Sequence, residues 1–204
     1  MFTGLVEAIG TVIASEPDRD QVGQRLQIAV PFSSDLTLGE SISVNGTCLT
    51  VVASNSHSFW VQVSSTTLAF TTLGHLAREE QVNLERSVTP ATRLGGHWVL
   101  GHVDTRGTVQ TIVPDGESHH ITVTYANEYD RWVLPQGSIT LDGISLTIVR
   151  LSPGQLTVTV IPHTWSHTTV QNWRVGLAVN LEFDVLGKYV ERLLQPYQIG
   201  KGGR

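Results

Sequence analysis

Polar and apolar residues alternate along this chain in many short runs, and that alternation predicts β-strands. Residues 41–44 alternate, Asn45-Gly46 provides a hairpin-type turn, and residues 48–52 resume a strand. The same order of strand, turn and strand returns at residues 138–149, with Asp142-Gly143 as the turn. Further strand candidates are residues 25–30, 59–63, 81–84, 122–125, 156–161 and 178–183. So many short strands per hundred residues favour an all-β chain built as small closed barrels.

Helical patterns are few. Residues 67–73 and 164–170 each fit a short helical turn, and the clearest helix covers residues 186–194. Its apolar residues at i, i+4, i+7 and i+8 are Leu186, Val190, Leu193 and Leu194. Such a stripe either packs on its own barrel or serves as an association surface. Residues 200–204 are predicted to be a frayed tail.

An internal repeat organises the chain. Asn83-Leu84-Glu85 returns 97 residues later as Asn180-Leu181-Glu182, and one ungapped shift of 97 aligns residues 2–85 with 99–182. A chance similarity between two β-rich stretches would not hold one register over that length. The period is the size of a small domain rather than of a solenoid repeat. We therefore expect two homologous domains, residues 1–97 and 98–185, followed by a C-terminal appendage, residues 186–204.

Composition and charge exclude several classes of function. The net charge of the 204-residue chain is −5 and Lys and Arg do not cluster, which disfavours nucleic acids and anionic membranes as partners. No apolar run approaches the ~20 residues of a membrane span. Charged residues make up only 15%, against roughly 25% in ordinary soluble domains, so we expect a partner or a second copy to cover part of the surface.

Cysteine use suggests a compartment. Cys48 is the only cysteine, so the chain makes no intramolecular disulfide, which fits a reducing environment. The first seven residues lack the basic start and long apolar stretch of a signal peptide. We expect a cytoplasmic protein.

The aligned positions that differ in chemistry are the candidates for asymmetric function. Cys48 aligns with Ser145, and Leu5 aligns with His102, whereas Thr50 and Thr147 are identical. A thiolate acts as a nucleophile or base. The alternative is a neutral exchange of two nearly isosteric residues, because cysteine is often an inert buried side chain.

The histidines give no sign of a metal site. His97 and His102 are five residues apart, and on a strand an odd separation points two side chains to opposite faces. No group of His, Cys and carboxylate residues has a zinc spacing, and no Gly-rich phosphate loop precedes a helix. No metal is expected. His163 and His167 flank matched threonines and are candidates to line a pocket.

Five motifs in this order resemble one family, riboflavin synthase of the α-chain type, over nearly the whole chain. The motifs are Met1-Phe2-Thr3-Gly4-Leu5-Val6, Asn45-Gly46-Thr47-Cys48-Leu49-Thr50-Val51, Gly95-Gly96-His97-Trp98-Val99-Leu100-Gly101-His102-Val103-Asp104, Asp142-Gly143-Ile144-Ser145-Leu146-Thr147 and Gly187-Lys188-Tyr189-Val190-Glu191-Arg192. The resemblance implies two six-stranded antiparallel Greek-key barrels in tandem and a C-terminal α-helix through which chains associate as a homotrimer.

The resemblance also implies a reaction. Two molecules of 6,7-dimethyl-8-ribityllumazine exchange a four-carbon unit, giving riboflavin and 5-amino-6-ribitylaminouracil without a metal or organic cofactor. The facing pockets come from the first barrel of one chain and the second barrel of a neighbour. The repeat suits this chemistry because two similar pockets can hold two copies of one substrate in opposed orientation. An association with lumazine synthase stays open.

The matched motifs predict two substrate pockets. The first-barrel pocket would contain Gly4, Leu5, Val6, Cys48, Leu49, Thr50, Gln62, Val63, Ser64, Ser65, Thr66 and Thr67. The second-barrel pocket would contain Gly101, His102, Val103, Ser145, Leu146, Thr147, Val160, Ile161, Pro162, His163, Thr164 and Trp165, and Gln136 is a further substrate-facing candidate.

Five residues are expected to be catalytic: Cys48, His102, Ser41, Ser145 and Thr147. His102, with Thr147 and Ser145, would assist deprotonation of the acidic 7-methyl group. Cys48 and Ser41 would help a nucleophile or water to add to the partner ring. Thr50 and Thr147 would hydrogen-bond the pyrimidine edge.

Two positions depart from the family's pattern. The family often has Lys where this chain has Gln136, and Glu where it has Thr66, so substrate or ribityl contacts can differ.

Two other functions compete with this one. A non-catalytic lumazine- or flavin-binding protein is the main alternative, although such relatives tend to lose the thiol and the Gly-Gly-His segment present here. A flavin-dependent oxidoreductase would need a nicotinamide-binding domain, for which 204 residues leave no room.

Overall fold

The computed structural model describes residues 1–18 and 23–198, which form two closed six-stranded antiparallel barrels. The strands of the first barrel are β1 (Ala8–Pro17), β2 (Gly23–Ala29), β3 (Ser41–Val44), β4 (Thr47–Ser54), β5 (Ser58–Ser64) and β6 (Gln81–Arg86). Those of the second are β7 (Thr105–Asp115), β8 (Ser118–Thr124), β9 (Ser138–Leu141), β10 (Ile144–Ser152), β11 (Gln155–Val160) and β12 (Ala178–Phe183).

The sequence repeat is also a repeat of topology. Around the first barrel the order is β1-β2-β5-β4-β3-β6, and around the second it is β7-β8-β11-β10-β9-β12. In each barrel the second strand pairs with the fifth and the third with the sixth, which confirms the expected Greek-key connections.

Each barrel has its own apolar core. In β5, Phe59, Val61 and Val63 are buried, whereas Gln62 between them and Ser64 after them are exposed. This alternation is what placed the strands in the sequence, since side chains of a strand point alternately to its two faces. The strands predicted from alternation are all present.

Two strands, β1 and β7, were missed by the sequence analysis. β1 contains Gly10, where an added Cβ would lie 2.5 Å from Leu84 Cδ1 and 2.7 Å from Ile28 Cγ2. Glycine therefore lets β1 approach its neighbours closely, and β7 has Gly107 at the matched position, equally crowded by Val123 and Leu181. A glycine weakens the strand pattern even where packing requires it.

The helices are short except at the C-terminus. The two predicted helical turns are α1 (Ser65–Phe70) and α2 (Pro162–His167), each followed by a 3₁₀ turn, Thr72–His75 or Thr169–Asn172. α3 spans Val185–Gln198 and is longer than predicted. The predicted tail, residues 200–204, lies outside the described residues.

The apolar stripe of α3 does not pack on its own barrel. Leu186 is 59% exposed and Leu193 69%, and Val190 and Leu194 are also exposed. The helix is held instead through its other face, where Trp132 Nε1 donates to Glu191 at 3.3 Å and Lys188 pairs with Asp104 at 2.6 Å. Of the two interpretations of the stripe, packing within the chain is wrong.

The two barrels meet at their repeated hairpin turns. A Cβ on Gly46 would lie 2.7 Å from Gly143 N, so the two turns touch at their glycines. Asn83 Nδ2 donates to the carbonyl of Asp142 at 2.9 Å, and Asn180 Nδ2 donates to the carbonyl of Asn45 at 2.8 Å. Each barrel thus binds the turn of the other through the same side chain of the repeat.

Within the described residues, no helix has the length and apolar character needed to span a membrane.

Candidate active site

The cysteine and serine that distinguish the two halves occupy matched strands. Cys48 lies near the start of β4 and Ser145 near the start of β10, and both are partly exposed. Their backbone N–H groups donate across to the other half of the chain. Cys48 N donates to the carbonyl of Gly101 at 2.8 Å, and Ser145 N donates to the carbonyl of Gly4 at 2.8 Å.

In this crossing, each of the segments that contain Gly4 and Gly101 contacts the barrel of the other half, which changes how the predicted residues are grouped. Gly4, Leu5 and Val6 were assigned to the pocket of Cys48, but the segment meets Ser145 of the second barrel. The segment beginning at Gly101 was assigned to the pocket of Ser145, but it meets Cys48 of the first barrel. The pairing within one barrel was wrong.

The crossing has a structural cause. Residues 1–7 and 98–104 precede the first strand of their barrels, and the two segments pair with each other through Phe2 and Val99, with N–H···O distances of 2.7 and 3.2 Å. Each segment therefore runs from its own barrel onto its neighbour.

Glycine is required where each segment touches the other barrel. Gly4 has a φ of +79° and Gly101 a φ of +78°, in the left-handed region that favours glycine. A Cβ on Gly4 would lie 2.6 Å from Ser145 Cβ, and one on Gly101 would lie 2.6 Å from Cys48 Cβ. The backbone of each segment thus rests directly on the thiol or hydroxyl residue.

We call the first group of residues the thiol site: Ser41, Cys48, Thr50, Gln62, Gly101 and His102. Ser41 of β3 and Gln62 of β5 flank Thr50 of β4 on either side in the sheet register. Thr50, Gln62 and His102 are exposed. Polar side chains of three adjacent strands therefore share one outward face next to Cys48.

A cavity of about 680 Å³ opens on this face. Of the predicted residues it is lined by Thr50, Gln62, Val63, Ser64 and Ser65. Sequence reasoning missed three of its lining residues, Asp18, Gly23 and Val52. Asp18 contacts Gln62 through a short hydrogen bond from Gln62 Nε2. No motif pointed to Asp18, because it follows β1, a strand that the hydrophobic pattern did not predict.

Several predicted residues have buried side chains. Leu49, Val63, Leu146 and Val160 are buried in the barrel cores. Thr66 is exposed on α1, whereas Ser64 caps that helix by accepting a hydrogen bond from Thr67 N at 3.1 Å.

We call the second group of residues the serine site: Gly4, Leu5, His97, Ser145 and Thr147. His97 Nδ1 lies 2.7 Å from Ser145 Oγ, and its Nε2 lies 3.2 Å from Thr140 Oγ1. His97 is buried, which lowers the pKa of its imidazole and keeps the ring neutral near pH 7. A neutral imidazole beside a serine hydroxyl is able to accept its proton.

His97 is a functional candidate that the sequence analysis missed. The Gly-Gly-His segment separates the enzyme from its non-catalytic relatives, but no role for His97 itself follows from it. His97 lies outside the aligned repeat, residues 99–182, so the comparison of matched positions did not reach it. The thiol site therefore differs from the serine site in its nucleophile and in the imidazole beside it.

The remaining residues of the second-barrel pocket follow the end of β11. Trp165 on α2 stacks on His119 of β8, with ring centroids 3.7 Å apart. His163 stacks on His167 at 4.2 Å. Ile161, Pro162 and His163 are exposed, whereas Thr164 and Trp165 are partly buried. Gln136 is exposed and has a φ of +61°.

Two buried glutamates hold the crossing segments. Glu182 accepts hydrogen bonds from the N–H groups of Leu100, Gly101 and His102, and Glu85 accepts from those of Thr3 and Gly4. Burial raises the pKa of both carboxyl groups, and the N–H donors oppose that rise.

No group of three or more His, Cys, Asp or Glu side chains in the described ranges is arranged to hold a metal ion.

Comparison with known proteins identifies the family. The lumazine-binding domain profile matches residues 3–87 and again residues 100–184, with both ends of the second match offset by 97. The chain is 42% identical to riboflavin synthase of Mycobacterium tuberculosis over 200 residues, which cover 96% of this chain and 98% of that protein. The chain belongs to the riboflavin synthase family.

Other members of the riboflavin synthase family are similar over the same length. The enzyme of Bacillus amyloliquefaciens is 40% identical over 195 residues, covering 95% of this chain and 90% of that protein. The one of Actinobacillus pleuropneumoniae is 38% identical over 194 residues, with 95% and 90% covered.

Solved structures share the fold. LumP complexed with riboflavin superposes with a TM-score of 0.82 at 23% identity, covering 90% of this chain and 99% of that chain. LumP complexed with 6,7-dimethyl-8-(1'-D-ribityl) lumazine gives 0.80 at 23% identity, with 89% and 98% covered.

Proposed function

We propose that this chain catalyses the dismutation of two 6,7-dimethyl-8-ribityllumazine molecules to riboflavin and 5-amino-6-ribitylaminouracil. The observation that carries the proposal is a pair of equivalent sites with unequal chemistry. Both sites join a strand of one barrel to a glycine segment of the other, yet one offers Cys48 and the other Ser145 with His97. Two copies of one substrate with different roles need such sites.

The reaction balances without an external oxidant or reductant. One lumazine gives up a four-carbon unit and leaves as the aminouracil, and the other accepts the unit to complete the third ring of riboflavin. The electrons and atoms lost by the first molecule are those gained by the second. We propose a transferase that uses neither a metal nor an organic cofactor.

At the thiol site, we propose that His102 moves a proton of the 7-methyl group of one lumazine and that Cys48 and Ser41 assist addition of a nucleophile or water to the ring of the partner lumazine. His102 is exposed and its backbone is fixed beside Cys48. Thr50 and Gln62 are among the polar residues that line the adjoining cavity. Proton transfer by a positioned side chain typically contributes ~10²–10⁴-fold to a rate.

At the serine site, we propose that His97 accepts the proton of Ser145 while Thr140 fixes the ring orientation. The 2.7 Å separation of His97 Nδ1 and Ser145 Oγ supports this role. Thr147 is exposed on the same strand and would bind the pyrimidine edge.

We propose that the working form is a homotrimer in which a thiol site of one chain faces a serine site of its neighbour. The exposed apolar stripe of α3 supports an association surface, since five large apolar side chains of that helix are about half exposed or more. They are Leu186, Tyr189, Val190, Leu193 and Leu194. We place the protein in the cytoplasm and leave association with lumazine synthase as a further proposal.

One assay tests the proposal. The purified protein is incubated with 6,7-dimethyl-8-ribityllumazine and no cofactor, and both products are followed by absorbance and chromatography. One riboflavin per two lumazines consumed supports the dismutation. A fluorescent lumazine complex without turnover identifies a binding protein instead.

A further inference from the structure

The repeated Asn-Leu-Glu motif has a role that the repeat alone does not explain. Leu84 and Leu181 point into the barrel cores, so the Asn and Glu on either side lie on the outer faces of β6 and β12. All four polar residues are nevertheless buried, with Glu85 5% and Glu182 2% exposed. A buried carboxylate is stable only where it is hydrogen-bonded.

The donors that satisfy Glu182 are three consecutive backbone N–H groups. Oε1 accepts from Leu100 at 2.7 Å, and Oε2 accepts from Gly101 at 2.9 Å and His102 at 3.0 Å. A carboxylate only accepts hydrogen bonds, so it suits a run of N–H groups better than an amide would. The backbone of the segment is thereby fixed at and beside Gly101, the residue that contacts Cys48.

The carbonyl of the same segment then binds the thiol residue. Gly101 donates its N–H to Glu182 while its carbonyl accepts from Cys48 N at 2.8 Å. Glu182, which belongs to the second barrel, therefore controls how His102 is presented beside Cys48 of the first barrel.

Glu85 does the same in the opposite direction. Its carboxylate accepts from Thr3 N at 2.6 Å, Thr3 Oγ1 at 2.8 Å and Gly4 N at 3.0 Å, and the carbonyl of Gly4 accepts from Ser145 N at 2.8 Å. The two glutamates differ in the site that each one serves.

We propose that Glu182 is a positioning residue for His102 and Cys48 at the thiol site, and that Glu85 is the positioning residue for Leu5 and Ser145 at the serine site. The proposal deepens the proposed function, because it assigns each glutamate to one half of the dismutation. It does not depend on activity for its first test.

The single cysteine makes that test possible. Cys48 is the only thiol, so alkylation by iodoacetamide reports on the thiol site alone. Glu182→Gln removes the charge and one acceptor, which releases the segment covering Cys48. We expect Glu182→Gln to raise the alkylation rate about threefold or more through this local opening. The matched variant Glu85→Gln should leave the rate near that of the unchanged protein.

Kinetics provide the second readout. Both variants should lower kcat about 10- to 100-fold with a smaller change in KM, because misplacement of a reacting group costs that much. Glu182→Asp keeps the charge but is one methylene shorter and cannot reach all three N–H groups. It should lower kcat as well, and it tests the proposal if Glu182→Gln does not fold.

The outcomes separate this proposal from the function itself. If the unchanged protein makes no riboflavin, the dismutation is wrong, but the difference in alkylation still tests the positioning. If Glu182→Gln, or Glu182→Asp where Glu182→Gln does not fold, changes the alkylation rate no more than Glu85→Gln does, the assignment of each glutamate to one site is wrong. If the variants had a lower melting temperature but an unchanged alkylation rate and an unchanged kcat in the folded fraction, both glutamates would be purely structural and the proposal would be overturned.

Discussion

Gly101→Ala should damage both stability and turnover, because Gly101 is where the crossing segment touches the thiol residue. An added Cβ would lie 2.6 Å from Cys48 Cβ, 2.8 Å from Cys48 N and 3.0 Å from the ring of Phe2. Ordinary contacts between carbon atoms are about 3.5–4.0 Å. Cys48 belongs to a barrel strand and Phe2 is fully buried, so neither is free to withdraw.

Two costs add at this position. A left-handed alanine costs roughly 1–2 kcal/mol, and forcing an extra methyl group into a packed site costs about 1–3 kcal/mol. Together they give about 2–5 kcal/mol, and each kcal/mol lowers the melting temperature of a chain this size by about 2–4 °C. If the segment lifts away instead, less stability is lost, but the Cys48–Gly101 hydrogen bond breaks and turnover falls.

Thermal denaturation and riboflavin formation measure the two effects, and Gly116→Ala is the matched control. Gly116 has a φ of +60°, but an added Cβ there meets nothing within 4 Å. The control therefore carries the conformational cost alone and should keep full turnover. If both variants melt at the same temperature and are equally active, the close contact between the crossing segment and Cys48 is not real.

Three further predictions concern other positions. Cys48→Ser and His102→Gln should each lower riboflavin formation while lumazine binding, measured by fluorescence titration, is retained. Gln136→Gly should raise the melting temperature by the equivalent of about 0.5–1 kcal/mol, because Gln136 is exposed with a φ of +61° and glycine adopts that conformation without strain. Burial raises the pKa of Asp142 to about 7, from an ordinary value of 3.8, so stability should fall as pH rises from about 4 to 7. Asp142→Asn, which copies Asn45 of the first barrel, should remove that part of the pH dependence and stabilise the protein above pH 7.

The sign of the pH effect follows from the carboxyl group. The folded protein holds Asp142 protonated to a higher pH than the unfolded chain does, so its contribution is complete below the unfolded pKa and is lost as pH rises through the folded pKa. Melting temperatures at pH 5 and pH 8 check this. If Asp142→Asn changed the melting temperature by the same amount at pH 5 and at pH 8, this reasoning would be contradicted.

Full turnover in both Cys48→Ser and His102→Gln would contradict the roles given to those residues, and a lower melting temperature in Gln136→Gly would contradict the strain argument.

Much of the fold was predictable from the sequence for a physical reason. Strands such as β5 and β8 alternate clearly, because one face of each packs in a barrel core and the other is at least partly exposed. The missed strands, β1 and β7, contain glycines that close packing demands, and glycine carries no hydrophobic signal. The alternation of polar and apolar residues indicates which side chains are buried, and a buried glycine adds no apolar side chain to that pattern.

The sequence by itself determined that the chain is two copies of one barrel and which positions break their equivalence, above all Cys48 against Ser145. It did not determine which segment meets which of them, and the assumption that each half builds its own pocket was wrong. Only the tertiary structure decided this, since Gly4 and Gly101 reach the other barrel through backbone hydrogen bonds. Backbone contacts leave no pattern in the side chains, and two homologous halves offer equally suitable partners. The position of His97 beside Ser145 was hidden for a different reason, because that side-chain contact joins residues 48 positions apart and no repeat or spacing relates them.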